Sequence, residues 1–257
     1  MNALRHTHQV ALRYIRALLR QPAWVGISLV QPVIWLLLFG ALFERTADIP
    51  GFTNGSYIEF LTPGVVVMLA VSSAGWVGMA LIEDIDRGTM DRFLVSPIWR
   101  GALTLGSVAQ SVLSIALQSV IVVALSLAVG ARFPGGVAGV AVLIVVAGLL
   151  GAVFASLSNG VAVLTRQRET LIGIVTMVTL PLTFLSAALM QQSLLPGWIR
   201  WLARFNPVNW AAEAGRSAVA ANADWSLIAS RIGLLALLLL ASAGFATRAF
   251  AAYQRSI

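Results

Sequence analysis

Six long apolar runs, separated by short polar or charged stretches, leave this 257-residue chain few ways to fold. They cover about residues 24–43, 61–82, 102–130, 136–164, 170–190 and 227–250. At a rise of about 1.5 Å per residue, each is long enough to cross a ~30 Å hydrocarbon layer as a helix. One globular core of this size could not hide so much carbon: 59% of the residues are hydrophobic and 11% charged, with a mean hydropathy of +0.88. A soluble domain carries roughly a quarter charged residues. The expected fold is therefore an all-α polytopic membrane protein with six transmembrane helices. Pro32 and Pro181 fall inside the first and fifth runs. Membrane helices tolerate such prolines where neighbouring helices re-satisfy the freed backbone.

The flanks refine this picture. Residues 1–21 lack the compact apolar stretch and cleavage site of a signal peptide. At 100° per residue, Arg5, Gln9, Arg13, Arg16 and Arg20 fall within an arc of about 80°. Ala11, Tyr14, Ile15 and Leu18 lie on the other side, with Leu12 and Leu19 at its border. Residues 1–21 are accordingly expected as an amphipathic helix on the cytoplasmic membrane surface, and residues 22–257 as the six-helix domain. Between the fifth and sixth runs, Trp198, Trp201, Trp210 and Trp225 mix with Arg200, Arg204 and Arg216. That mixture fits the headgroup zone and predicts one or two short helices in the outer leaflet. His6 and His8 receive no role.

Alternate loops give the orientation. Arg5, Arg13, Arg16, Arg20, Arg87, Arg92, Arg100, Arg166, Arg168, Arg248 and Arg255 fall on one side, against Arg45, Arg132, Arg200, Arg204, Arg216 and Arg231 on the other. The more basic side is expected to be cytoplasmic, which places both termini there and requires an even number of spans. The net charge of +7 is thus read as membrane-flanking arginine and not as a nucleic-acid surface. The expected location is a bacterial plasma membrane.

What is missing narrows the chemistry. The chain has no Lys, so it cannot form a P-loop or a Schiff base of its own. It has no Cys, and neither His lies in a span, which excludes thiolate chemistry and disfavours a Ser–His intramembrane protease. Carboxylates sit in loops or at span ends, whereas a proton-coupled carrier buries an ionisable group in the bundle. No metal site or cofactor is expected. The spans instead hold neutral polar and small residues: Gln110, Ser111, Ser114 and Gln118, then Gly148, Ala152, Ser156 and Gly160, then Thr176, Thr179 and Thr183. Such residues glue helices together or line a path for a large amphipathic substrate. The candidate path residues are Met68, Ser72, Trp76, Thr176, Thr179, Thr183 and Phe184.

The most charged stretch follows the second run and contains Glu83, Asp84, Asp86, Arg87, Asp91, Arg92 and Arg100, with Ser96-Pro97 near its end. It reads either as a docking surface for a partner protein or as a solvated connector with compensating charges. The residues alone leave both open.

Three stretches now resemble the ABC type-2 membrane permeases, in particular the daunorubicin-resistance type of drug exporter. Tyr57, Phe60-Leu61 and Pro63-Gly64 are similar to the family's motif before the second span. Glu83-Asp84, Gly88, Asp91-Arg92-Phe93 and Pro97 resemble its cytoplasmic coupling segment. Asn206-Pro207-Val208 and the later Arg216 are similar to its outer-loop motif. The resemblance implies a permease that works as a homo- or heterodimer in the lipid bilayer. Two separate nucleotide-binding ATPase subunits would bind the ATP and magnesium and dock on the cytoplasmic side. It implies that Glu83, Asp84, Asp86, Arg87, Gly88, Asp91, Arg92, Phe93 and Pro97 form the ATPase-coupling segment, with the N-terminal helix close by. The implied function is export of a hydrophobic or amphipathic compound such as a drug, antibiotic or lipid-like metabolite. A polysaccharide or glycolipid exporter of the same architecture, and a non-transporting membrane scaffold, are the alternatives.

Overall fold

A computed structural model of the chain describes Gly26 and residues 30–43, 56–87 and 101–254. The expected interfacial helix at 1–21 lies outside these residues, as do Gly88, Asp91, Arg92, Phe93 and Pro97 of the coupling segment. Every regular element among the described residues is helical, and there is no strand among them. Helix α1 covers Val30–Leu42, with a wider π-turn at Trp35–Phe39. The next two are α2 (Tyr57–Gly75) and α3 (Val77–Asp86), followed by α4 (Gly101–Ala128), α5 (Gly136–Thr165) and α6 (Arg168–Phe184). A turn and one 3₁₀ segment, Gln192–Leu194, then lead to α7 (Gly197–Ala203), α8 (Pro207–Val219) and α9 (Trp225–Gln254).

Among the described residues, four helical stretches are long and apolar enough to cross a membrane: Tyr57–Asp86, Leu105–Ala128, Gly136–Thr165 and Trp225–Tyr253. The chain is thus a multi-pass, all-helical membrane protein. The fifth apolar run is helical only over the 17 residues of α6, about 25 Å at helical rise. Its remainder turns back into the bundle.

Helix α5 is the centre of the bundle. It is apolar on every side, the pattern of a buried helix, and it packs against α2, α3, α4, α6, α8 and α9. Its buried face runs from Gly139 and Leu143 through Leu150 and Val153 to Val163. Helix α9 lies on the outside and turns Leu237 and Leu240 outward. Such an exposed apolar surface is stable against lipid and not against water. Helix α5 stops at Arg166, whose left-handed φ of 53° directs its N–H back to the Ala162 carbonyl. Only Arg166 and Gln167 separate α5 from α6.

The span Tyr57–Asp86 is interrupted. Trp76, at φ −88° and ψ −4°, ends α2 and begins α3. An interrupted ladder inside a bilayer must find partners for its freed backbone groups. Ser158 of α5 provides both: its hydroxyl donates to the Gly75 carbonyl at 2.6 Å and accepts from the Gly78 N–H at 3.0 Å. Gly78 is required there, because a Cβ would stand 2.5 Å from the Ser158 carbonyl oxygen.

Candidate functional site

Two of the sequence motifs, far apart in the chain, meet at one end of the bundle. The Asn-Pro motif starts α8. Asn206 is its N-cap, accepting from the Val208 N–H at 2.9 Å, and Pro207 occupies the first helical position, where no N–H is needed. The Asn206 amide also donates to the Leu182 and Leu185 carbonyls at 2.6 and 3.1 Å, satisfying the free end of α6. Three residues on, Asn209 accepts from the Ala187 N–H at 3.0 Å and donates to Glu213 at 2.8 Å.

Arg216, further along α8, reaches the start of α2. Its Nε donates to the Phe60 carbonyl at 3.2 Å, and its Nη2 donates to the Ala188 carbonyl at 2.5 Å. The guanidinium lies 3.7 Å from the Phe60 ring centroid, a cation–π contact. Burial pulls this guanidinium down to about 9, with Glu213 and then Tyr57 pulling back up, so it remains cationic at neutral pH. Tyr57 completes the arrangement by donating to the Leu189 carbonyl at 3.0 Å. Gly64 lets the strap approach: a Cβ there would lie 1.9 Å from the Ala188 oxygen.

The result is a non-helical strap, residues 185–190, held by side chains from α2 and α8. Ser186, Ala187 and Ala188 are buried in it. Buried irregular backbone requires such partners for its polar groups. Next to it, Glu213 pairs with Arg231 of α9 at 2.8 Å, with side chains 16% and 26% exposed. The start of α2 is fixed separately. Ser56 and Glu59 form a capping box, and Glu59 also accepts from the Arg132 N–H at 2.9 Å. A run of rings, Trp35, Phe39, Phe43, Tyr57 and Phe60, leads from α1 to Arg216 with centroid spacings of 4.4–6.2 Å.

The opposite end carries the described part of the charged stretch. Glu83 and Arg87 pair along α3, and Asp86 pairs at 3.1 Å with Arg168 at the start of α6. The side chains of the second pair are 51% and 47% exposed. Arg166 stacks 4.4 Å from the Tyr253 ring, joining the α5–α6 turn to the end of α9. Acidic and basic groups thus gather on one exposed face.

The candidate path residues lie in several places in the bundle. Met68 and Ser72 line a cavity of about 50 Å³ with Gln31, Pro32 and Trp35, between α1 and α2. Thr179 lines a separate cavity of about 290 Å³ beside α5. Trp76, Thr176 and Phe184 are exposed on the bundle surface, and Thr183 is buried. Of the neutral polar residues, Gln118 bonds Ser73 across α4 and α2, whereas Ser156 bonds the Ala152 carbonyl of its own helix. Asn209, Glu213 and Ser158 stand outside every sequence motif, and Arg231 counts there only as a flanking charge. For Asn209, its place three residues after a capping asparagine was the available signal.

The family profile of the ABC-2 type transporter matches residues 6–220 of the chain. The chain belongs to this family. Among curated relatives, the daunorubicin resistance ABC transporter permease protein DrrB1 of Streptomyces coeruleorubidus is 33% identical over 192 residues. That match covers 73% of this ABC-2 chain and 65% of the relative, so the chain spans just under two thirds of that protein. The putative transport permease ycf38 of Porphyra purpurea is 30% identical, covering 83% of this chain and 73% of its own length. The inner membrane transport permease YadH of Escherichia coli K12 is 28% identical, with 72% of each chain covered. The chain is therefore a membrane permease component of the ABC-2 type.

Proposed function

We propose that this permease is the membrane-spanning half of an ATP-driven exporter of hydrophobic or amphipathic compounds. Drugs, antibiotics and lipid-like metabolites are the candidate cargo. It spans a bacterial plasma membrane six times, α1 and α6 supplying the first and fifth crossings, with both termini in the cytoplasm. The Glu83–Arg87 end faces the cytoplasm and the Arg216 end faces outward. Two copies, or this chain and a paralogue, form the transport unit. A separate nucleotide-binding subunit holds ATP and magnesium, since the chain has no Lys with which to build a P-loop.

The observation that carries this reading is the exposed, mixed-charge face formed by Glu83, Asp86, Arg87 and Arg168. It is continuous in sequence with Gly88, Asp91, Arg92, Phe93 and Pro97. It ends a span whose helix breaks at Trp76, so α3 acts as a lever separable from α2. Closure of the ATPase pair presses on this segment, and α3 moves about the Gly75–Gly78 break. Meanwhile Arg216, Tyr57 and Asn206 keep the outward strap fixed. Thr176 and Phe184, exposed on α6, with Met68 and Ser72 on α2, then face the partner permease across the cargo path.

The test is reconstitution of the permease with its ATPase in vesicles. ATP-dependent uptake of a hydrophobic dye and ATP hydrolysis are measured together. Charge reversal at both Asp91 and Arg92 is expected to abolish uptake while hydrolysis continues. Uptake unchanged in that variant would remove the docking role, and no uptake by the wild type would favour a scaffold.

A further inference from the structure

Beside the break in the second span, α2, α5, α6 and α9 enclose a cavity of about 290 Å³. Its wall includes Phe154, Leu157, Val161, Leu171, Val175 and Phe245. Ser158 and Thr179 bring the only hydroxyls, and the Ser158 hydroxyl already joins Gly75 to Gly78. A buried water needs two to four polar partners, and this wall does not offer them. Apolar cavities of about 150 Å³ stay dry yet take up benzene. Scaled to its size, this one takes a hydrocarbon of roughly twelve carbons.

Its position fixes the source of that hydrocarbon. Gly75 stands eight residues before Glu83, about 12 Å along the helix, and Ser158 seven before Thr165, about 10 Å. The cavity therefore lies within the hydrocarbon half-thickness of about 15 Å from the Glu83 end. At its rim Ile174, Val178 and Phe245 are partly exposed, so it opens sideways towards lipid and not towards water.

We propose that this cavity is a binding site for one acyl chain of a membrane phospholipid. The chain lies between α6 and α5 against Gly75 and Val175, directly beside the Ser158 stitch. There it fills the space that separates α6 from the break and supports α6 against the moving α3. The proposal rests on the membrane-embedded reading and is independent of the cargo and of the ATPase.

The test uses the full chain in vesicles of phosphatidylethanolamine and phosphatidylglycerol that contain a phospholipid with a mid-chain diazirine. After irradiation, labelled residues are mapped by mass spectrometry. Residues 154–161 and 171–179 are expected to carry about tenfold more label per residue than the outward-facing Leu237 and Leu240. That ratio corresponds to a preference of about 1.4 kcal/mol. Val161→Trp, or Val178→Trp at the rim if the first variant fails to fold, is expected to abolish the excess and leave Leu237 labelling unchanged. Equal labelling of both faces, or an excess that survives the filling variants, overturns the proposal. So does loss of the excess on dimer formation, which assigns the space to a second copy, or on addition of a transported compound, which assigns it to cargo. The assay needs no transport, so an inactive exporter would leave it intact.

Discussion

The two ends of this bundle are both rich in arginine, yet they use it differently. At the strap end the half-buried Arg216 spends its donors on the Phe60 and Ala188 carbonyls of the chain itself. At the other end Arg87 and Arg168 pair with Glu83 and Asp86 on an exposed face. Exposed pairs of this kind are worth about 0–1 kcal/mol and are screened by salt. A donor that satisfies the Ala188 carbonyl of the non-helical strap is worth more, because removing it strands that acceptor. The first end is built to stay as it is. The second leaves its charges available to a partner.

The strongest way to break this contrast is Gly64→Val, which places a Cβ 1.9 Å from the Ala188 oxygen. It should cost about 3 kcal/mol or more and abolish the monodisperse peak in detergent gel filtration. Gly173→Ala, on an exposed site with nothing within 4 Å of its Cβ, is the matched control and should be tolerated. Arg216→Met follows, with an expected loss of about 2–3 kcal/mol from the stranded Ala188 carbonyl and the lost Phe60 ring contact, read as a lowered melting midpoint. Arg216→Lys should recover less than half of it, because one ammonium cannot reproduce the fork. Ser158→Ala should lose about 1–2 kcal/mol by unpairing the Gly75 and Gly78 backbone groups. It should also raise hydrogen exchange around Trp76. Smallest in stability is Arg168→Gln, expected to shift it by at most about 0.5 kcal/mol while lowering ATP-driven uptake. A large melting shift for Arg168→Gln, or none for Arg216→Met, would reverse the comparison.

The helical, membrane-embedded class was legible because hydrocarbon solvent imposes one pattern, the long apolar run. The Asn206-Pro207 pair was legible for a similar reason, since a capping asparagine followed by proline has a local mechanism. What Arg216 binds was not legible. Its partners are backbone carbonyls, which carry no side-chain signature, and they lie 28 and 156 residues away. The break at Trp76 was hidden as well, because Gly75-Trp76-Val77-Gly78 reads as uninterrupted apolar chain and is held open by Ser158. The end of α6 at Phe184 has the same origin: the apolar run continues, but Asn206, Asn209 and Arg216 capture the following backbone.

The absence of Cys from the chain makes the most direct test clean. Single cysteines are placed at Asp86, beside the charged face, and at Ala221, exposed between α8 and α9. Both are cross-linked in membranes that contain the nucleotide-binding subunit. Asp86→Cys should join that subunit, with a yield that changes on ATP binding, and Ala221→Cys should react only with impermeant reagent outside the cell. A cross-link from Ala221→Cys to the ATPase, or outside labelling of Asp86→Cys, would contradict the assignment of the two ends.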